Sequence, residues 1–474
     1  MEDLRITVNG TVHEVTDVGP HTTLLSWLRA QGLTGAKEGC AEGECGSCAV
    51  LLVRESASGK VRLDSINSCL IAMGALHGAE IMTVEGLTDG RWEHPVQRVF
   101  AQAGASQCGF CTPGFIASLA GEYYRSDRIP GQYGQENGVD LHALGGNLCR
   151  CTGYRAIRDA AERIGFPEMD DPVSERLSRQ VSPPAPVHLA DEEGAFIRPA
   201  NLEEALYLIS RHPEAVLRAG GTDLGVEQNL RHRRPGLVVA VDALPELRMI
   251  QIEEDHIDIG AGLPLSEVQD ALDGAIPLLD AMFPHFASPL IRHAATLGGN
   301  LGTASAVGDS APCLLALDAR LVLVSQKERR EIPLGDFFLG YRRTVRRPDE
   351  IITTIRIPRP FAPQVGFQKI TKRPLDDISS VSVAFAFHIE REVVTAARIG
   401  LGGVAATPIR ARATEEILVG RPWTQETVDL AGAALAKEGT PLTDARASAA
   451  YRIAMLEQSL RRFYTELTTQ EMAS

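Results

Sequence analysis

Two runs of alternating apolar and polar residues, Leu4-Arg5-Ile6-Thr7-Val8 and Thr11-Val12-His13-Glu14-Val15, flank Asn9-Gly10. Period-two alternation marks strands, and Asn-Gly favours the positive φ angles of a type I′ turn, so residues 4–15 read as a hairpin. In residues 22–31 the spacing changes to helical: Leu24, Leu25 and Leu28 share a face, Thr22 or Thr23 offers a cap, and Gly32 an end. A Gly/Cys loop follows at 35–48, then strand-like runs at 49–53 (AVLLV) and 80–86 (EIMTVEG). From about 94 to 165 the apolar spacing is helical, in HPVQRVFAQAG, FIASLAGEYYRS and YRAIRDAAERIG. Pro167, Pro172, Pro183, Pro184 and Pro186 stand among polar residues in 167–190, which reads as a linker. Beyond it the pattern is mixed α/β with two Gly-rich loops, at 218–225 and 296–305. From about 365, strand-like SVSVAFAFHI and TAARIGLGGV give way to helices. No fixed-period repeat is present.

The predicted class is a multidomain α+β protein. Its 474 residues allow two to four domains. A composition of 44% hydrophobic and 23% charged residues is that of a soluble globular chain. The net charge of −14 disfavours nucleic acid and anionic membranes as partners. The start, MEDLRITVNGTVHEV, lacks the basic and apolar regions of a secretory signal, and no apolar run reaches the ~18 residues that span a bilayer. A cytoplasmic location is therefore expected, where clustered cysteines point to metal or redox chemistry before disulfides.

Eight of the nine cysteines fall into two sets. Cys40-x4-Cys45-x2-Cys48, with Cys69 further on, is plant-type [2Fe–2S] spacing. Four thiolates must converge on two irons, and Gly39, Gly43 and Gly46 leave the loop unobstructed and let backbone N–H groups approach the sulfurs. The second set pairs Cys108-x2-Cys111, in QCGFCTPG, with Cys149-x1-Cys151, in GNLCRCTGY. Two short pairs at helix ends can close one site. Zinc and disulfides are the alternatives; the x4 and x1 spacings suit a four-cysteine zinc site poorly, and the compartment disfavours disulfides. Cys313, in the apolar run APCLLAL, reads as an inert buried thiol.

The stretch AVLRAGGTDLG (215–225) can bring backbone N–H groups to a pyrophosphate, though a bare Gly-rich loop is more often a plain turn. It is neither a GxGxxG fingerprint nor a Walker A loop. ATLGGNLGTASAVGD (295–309) is equally ambiguous alone.

The paired motifs QCGFCTPG and GNLCRCTGY behind a plant-type loop resemble the xanthine dehydrogenase family of molybdenum hydroxylases over nearly the whole chain. The resemblance implies a β-grasp ferredoxin-like domain at 1–86, a helical-bundle [2Fe–2S] domain at 87–166, a linker at 167–190, a two-subdomain α+β FAD-binding domain at 191–364 and a C-terminal α+β domain at 365–474. It implies two [2Fe–2S] clusters, one on Cys40, Cys45, Cys48 and Cys69, the other on Cys108, Cys111, Cys149 and Cys151. It assigns FAD contacts to Leu217, Arg218, Ala219, Gly220, Gly221, Thr222, Asp223 and Leu224 at the pyrophosphate. It assigns others to Thr296, Leu297, Gly298, Gly299, Asn300, Thr303, Ser305 and Asp309, with Phe286 against the isoalloxazine and Ile352 and Lys369 beyond. Tyr341-Arg342 falls on the nicotinamide side, and Lys372 to Asp377 resembles a loop controlling nicotinamide access, with a different length and a proline. Gln107 falls where the family contacts the pterin. The chain ends at Ser474 without a molybdopterin domain, so a separate molybdopterin-binding large subunit is expected, in a dimer of heterodimers. The implied activity passes electrons from purine hydroxylation in that partner through both clusters to FAD and then NAD. The alternatives are another aldehyde or N-heterocycle hydroxylase, or a non-catalytic redox sensor.

Overall fold

The computed structural model describes residues 4–56, 59–88, 92–168 and 170–473. The chain forms two compact units, one of Met1–Pro245, Pro264–Glu267 and Ala287–Ala295, the other of Glu246–Leu263, Val268–Phe286 and Thr296–Ser474.

The first unit begins with the expected hairpin, Leu4–Val8 against Thr11–Val15, turning on Asn9 (φ 50) and Gly10 (φ 77). These strands join a five-stranded sheet in the order Thr11–Val15, Leu4–Val8, Glu80–Met82, Ala49–Glu55, Val61–Asn67. Its second and third members, Leu4–Val8 and Glu80–Met82, run parallel, as a β-grasp requires. The helix Leu24–Ala30 is capped by Thr23, whose hydroxyl accepts from Ser26 N–H, and it buries Leu24, Leu25 and Leu28 on the sheet. The run 80–86 is only half strand; Val84–Leu87 turns as a 3-10 helix.

Helices Pro95–Gln102, Thr112–Tyr123 and Arg155–Ala161 follow, sharing a core that includes Val96, Phe100, Phe115, Leu119 and Ile157. The proline-rich segment 167–190 is anchored: it holds the helix Pro172–Leu177 and the start of the strand Val187–Asp191. Pro172 occupies a helix's first turn, where its missing N–H costs nothing. Asp171 caps that helix from a buried position, and Arg176 grips Glu80 with two nitrogens. The unit closes with a four-stranded sheet in the order Val187–Asp191, Gly194–Arg198, Leu237–Ala240, Val216–Arg218.

The second unit has a five-stranded antiparallel sheet in the order Ile250–Ile252, His256–Gly260, Ile351–Pro358, Arg320–Val324, Arg329–Pro333. A second sheet runs Gln364–Ile370, Val381–Glu390, Val393–Gly402, Ile409–Arg410. Helices Arg412–Leu418, Gln425–Leu435 and Ala449–Ala473 cover it, and Phe463 stacks on Phe385 at 4.7 Å between ring centres. The architecture is the multidomain α+β one expected. Among the described residues no helix is long and apolar enough to cross a membrane.

Candidate functional site

The loop between the helix Leu24–Ala30 and the strand Ala49–Glu55 supplies Cys40, Cys45 and Cys48, and the turn after the strand Val61–Asn67 supplies Cys69; the four thiols meet in two pairs. Cys48 and Cys69 are buried with their sulfurs 3.4 Å apart. Cys40 and Cys45, half-buried, hydrogen-bond to each other. Within each pair the hydrogen bond shifts the two thiols in opposite directions. The bond from Cys40 holds Cys45 down to about 6, and its partner thiol first, then burial, pushes Cys40 up. Cys48 is lowered by Cys69, while Cys69 is raised by that same bond and by burial. In each pair one thiol is thus shifted toward the thiolate, the form that binds metal. A Cβ on Gly39 would stand 2.8 Å from Cys45 Sγ, so only glycine leaves that sulfur its place.

The second set also forms two pairs. Cys108 hydrogen-bonds to Cys151 on the exposed side, and Cys111 to Cys149 beneath, all four as free thiols. Cys111 immediately precedes the helix Thr112–Tyr123, and Cys149 and Cys151 precede Arg155–Ala161. Burial pushes Cys111 up to about 12. Burial also opposes ionisation of Cys149, yet the Thr152 hydroxyl at 3.0 Å and its N–H at 3.3 Å prevail and lower it. Tyr154 accepts Cys149 N–H at 3.0 Å through its hydroxyl.

Among the described residues, no group of three or more His, Cys, Asp or Glu side chains is placed to hold a single metal ion. Thiols facing in twos suit a two-iron cluster, with two thiolates per iron, better than the tetrahedron of zinc. The donor sets therefore fit [2Fe–2S] clusters. Cys313 lies apart, fully buried in the helix Ser310–Ala316, its thiol raised by burial.

A direct backbone link joins the two sets. Leu148 N–H donates to Cys45 C=O at 3.0 Å, and Leu148 is bonded to Cys149. Beside it Asn147 donates to Gly46 C=O at 3.3 Å, and a Cβ on Gly114 would overlap that same carbonyl. Glycines on both sides allow main chain to lie on main chain. The spacing signal in the sequence did not reveal this junction.

The first Gly-rich loop lies in the first unit. The strand containing Leu217 and Arg218 ends at Ala219-Gly220-Gly221, and the helix Thr222–Leu230, with Asp223 and Leu224 in its first turn, begins there. A Cβ on Gly220 would overlap Ala294 C=O, and Gly221 has φ +76. Buried Arg218 donates to Ala219 and Gly220 carbonyls and covers Gly221. A strand, a tight glycine turn and a helix N-terminus make an arrangement that presents N–H groups to an anion. It fits a pyrophosphate.

The second Gly-rich stretch, in the second unit, is a helix rather than a loop: Leu297–Gly302, capped by Thr296, whose hydroxyl accepts Gly299 N–H at 2.9 Å. Gly298 and Gly299 fill its first turn. Asn300 Oδ1 accepts from Ser310 Oγ at 2.6 Å, Thr303 Oγ1 donates to Asn300 C=O, and Ser305 Oγ accepts Val307 N–H. Asp309 and Lys369 pair with each other at 2.7 Å, both buried side chains, with Ser379 donating to Asp309. Lys369 also donates to His285 C=O, next to Phe286. Phe286 and Ile352 are each 7% exposed.

Of the remaining positions, Tyr341 stands 65% exposed on the turn after the strand Phe338–Gly340. The loop Lys372 to Asp377 is organised around one carboxylate: Asp377 accepts the N–H groups of Lys372, Arg373 and Ile378. Burial works against that charge, but the three N–H donors hold its carboxyl below the usual range. Gln107 is exposed, beside Cys108.

Comparison with known proteins places these features. Residues 6–73 match the family described as "2Fe-2S iron-sulfur cluster binding domain" and 83–162 that described as "[2Fe-2S] binding domain". Residues 191–360 match "FAD binding domain in molybdopterin dehydrogenase", and 367–467 "CO dehydrogenase flavoprotein C-terminal domain". Xanthine dehydrogenase of Emericella nidulans is 32% identical over 89% of this chain and 35% of its own length. That of Drosophila pseudoobscura pseudoobscura is 33% identical over 91% of this chain and 36% of its own. The chain thus spans about a third of the curated relatives it matches. A crystal structure of Cu,Mo-CO dehydrogenase is similar with a TM-score of 0.54 and 27% identity, over 56% of this chain and 94% of that one.

Proposed function

Because this chain belongs to the molybdenum hydroxylase family, as its iron–sulfur and FAD portion, we propose that it is the electron-transfer subunit of a xanthine dehydrogenase. In this reading a molybdopterin-binding partner hydroxylates a purine and this chain delivers the electrons to NAD. The likeness to xanthine dehydrogenases over 89% of the chain carries the reading. The assembly is a dimer of heterodimers, in the cytoplasm.

When bound, two-iron clusters carry single electrons and FAD exchanges single electrons for a hydride. The chain's own residues hold and space these groups. Cys40, Cys45, Cys48 and Cys69 ligate one cluster, and Cys108, Cys111, Cys149 and Cys151 the other. The Leu148–Cys45 hydrogen bond sets the separation of the two sets. Gly220, Gly221 and the first turn of Thr222–Leu230 take the pyrophosphate. Phe286 shields the flavin ring, and the Asp309–Lys369 pair stiffens the backbone at His285 beside it. The Asp377-centred loop borders the nicotinamide.

Exposed Phe110 (46%), Leu148 (38%) and Tyr154 (38%) each lie within three residues, along the chain, of the exposed Cys108 or Cys151. An apolar rim on an exposed redox site supports a partner covering it, with Gln107 offered to the pterin. A second reading keeps the architecture and changes the substrate; the likeness to CO dehydrogenase favours it. The test is to purify the chain with its partner and measure xanthine-dependent NAD⁺ reduction. Rapid bleaching of the flavin by NADH supports the proposal. A flavin that NADH leaves oxidised favours the second reading, and purification without any molybdenum protein overturns both.

A further inference from the structure

The helix Thr222–Leu230 has a second end. Its first turn follows the Gly220-Gly221 loop, while its far half packs on the plant-type cysteine loop. Gly225 makes this possible: a Cβ there would meet the Cα and carbonyl oxygen of Leu70 at 3.1 Å, so the helix lies directly on the main chain after Cys69. One turn on, on the same face, stands Asn229. Its amide nitrogen donates to Ala41 C=O and to Cys69 C=O, both at 2.8 Å. A carboxamide NH₂ has two protons, and this one places both on main-chain carbonyls of the thiol site.

The bond to Ala41 reaches a sulfur through a single peptide. Ala41 C=O and Glu42 N–H belong to the same peptide group, and Glu42 N–H lies 3.5 Å from Cys40 Sγ. Ala41 has φ 58, a left-handed conformation that residues with a Cβ resist. Asn229 therefore holds a peptide plane whose opposite edge faces Cys40. Successive hydrogen bonds polarise one another, so a donor on the carbonyl strengthens the N–H on the sulfur. Hydrogen bonds to the sulfurs are one of the levers that set a cluster's potential.

We propose that Asn229 is a positioning residue for the site formed by Cys40, Cys45, Cys48 and Cys69, fixing the Ala41–Glu42 peptide so that its N–H stabilises the reduced cluster. The inference rests on the assignment of a cluster to these thiols. It makes the helix that opens at the flavin loop also a determinant of the neighbouring cluster's potential.

The test is an EPR-monitored redox titration of the full chain with its cofactors, wild type against Asn229→Leu and Asn229→Ala, with iron, sulfide and FAD measured. A donor lost from the carbonyl weakens the N–H···S bond and disfavours the more negative reduced state. The expected result is a more negative potential for the plant-type signal alone, its reduction equilibrium falling by up to about tenfold (~59 mV for one electron), with altered g-values. Unchanged potential and g-values in fully loaded variants overturn the inference. So does loss of both cluster signals in both variants, which marks a role in folding only. Cys45→Ser identifies the signal of this site. If Cys45→Ser removes no signal, the cluster assignment itself fails; an unshifted signal that Cys45→Ser does remove sinks only the role of Asn229.

Discussion

Lowering the pH from 7.5 to 5 probes a buried chain of three side chains in the helical part of the first unit. His94 is fully buried at the cap of the helix Pro95–Gln102, where its Nδ1 accepts Val96 N–H at 3.1 Å. The ring proton therefore sits on Nε2 and points to the Tyr124 hydroxyl, 3.0 Å away. Tyr124 in turn donates to Asp171, the cap of Pro172–Leu177. A second ring proton would set N–H against N–H at Val96. Burial lowers His94 to about 4, from 6.5 in the unfolded chain. The folded state thus refuses a proton that the unfolded state accepts, so stability is full above 6.5 and falls as the pH drops toward 4. Integrated from pH 7.5 to 5, this one group contributes a loss of about 2 kcal/mol. His94→Asn keeps a cap acceptor without a titrating ring. Urea denaturation followed by far-UV circular dichroism at both pH values should show the wild type losing about 2 kcal/mol more than the variant. Equal pH dependence in the two proteins refutes the neutral buried imidazole.

Gly114→Ala drives a methyl group into Gly46 C=O and should destabilise the first unit by roughly 1–3 kcal/mol in urea; a variant as stable as wild type would contradict the close backbone packing. Leu148 contributes its N–H rather than its side chain to the junction, so Leu148→Ala should leave both cluster signals as they are, while Leu148→Pro, which has no N–H to give Cys45, should perturb them. Phe286→Ala should release FAD during gel filtration; unchanged flavin content after that column would reject its place against the ring.

The sequence made the cysteine sets legible because their spacing is local, and the first hairpin because Asn9-Gly10 dictates its own turn. It hid the strand Val61–Asn67, whose VRLDSIN buries Asp64, Ser65 and Asn67 where a strand pattern calls for apolar residues. Arg54 and Arg62 explain the exception, binding Asp64 at 2.7 and 2.9 Å. The fold thus satisfies a buried carboxylate with two guanidinium groups, and no hydrophobic period marks the strand. The proline-rich segment misled for the opposite reason: Asp171-Pro172 is a helix start, a cap followed by a first-turn proline, lying among prolines that do break structure. The resemblance singled out Asp309 and Lys369 one by one but not as a pair, since 60 positions separate them. Asn229 gave no signal at all, because its two partners are carbonyls, which every residue carries.

The contacts that hold the thiol sites together are mostly made by main chain. Leu148 meets Cys45, Gly114 meets Gly46, and Gly225 meets Leu70, each through backbone atoms on at least one side. A side chain at any of these glycines would hold the segments apart by its own width. One-electron centres exchange electrons faster the closer they stand, so a chain that must carry electrons gains from the smallest spacers it can build. Glycine and the peptide hydrogen bond are those spacers. The same economy limits adjustment: backbone carbonyls offer no side chain to vary, so tuning falls to the few side chains that reach them. Asn147 on Gly46 and Asn229 on Ala41 and Cys69 are two such side chains. Both are carboxamides, able to donate to a carbonyl without adding charge beside the thiol sites.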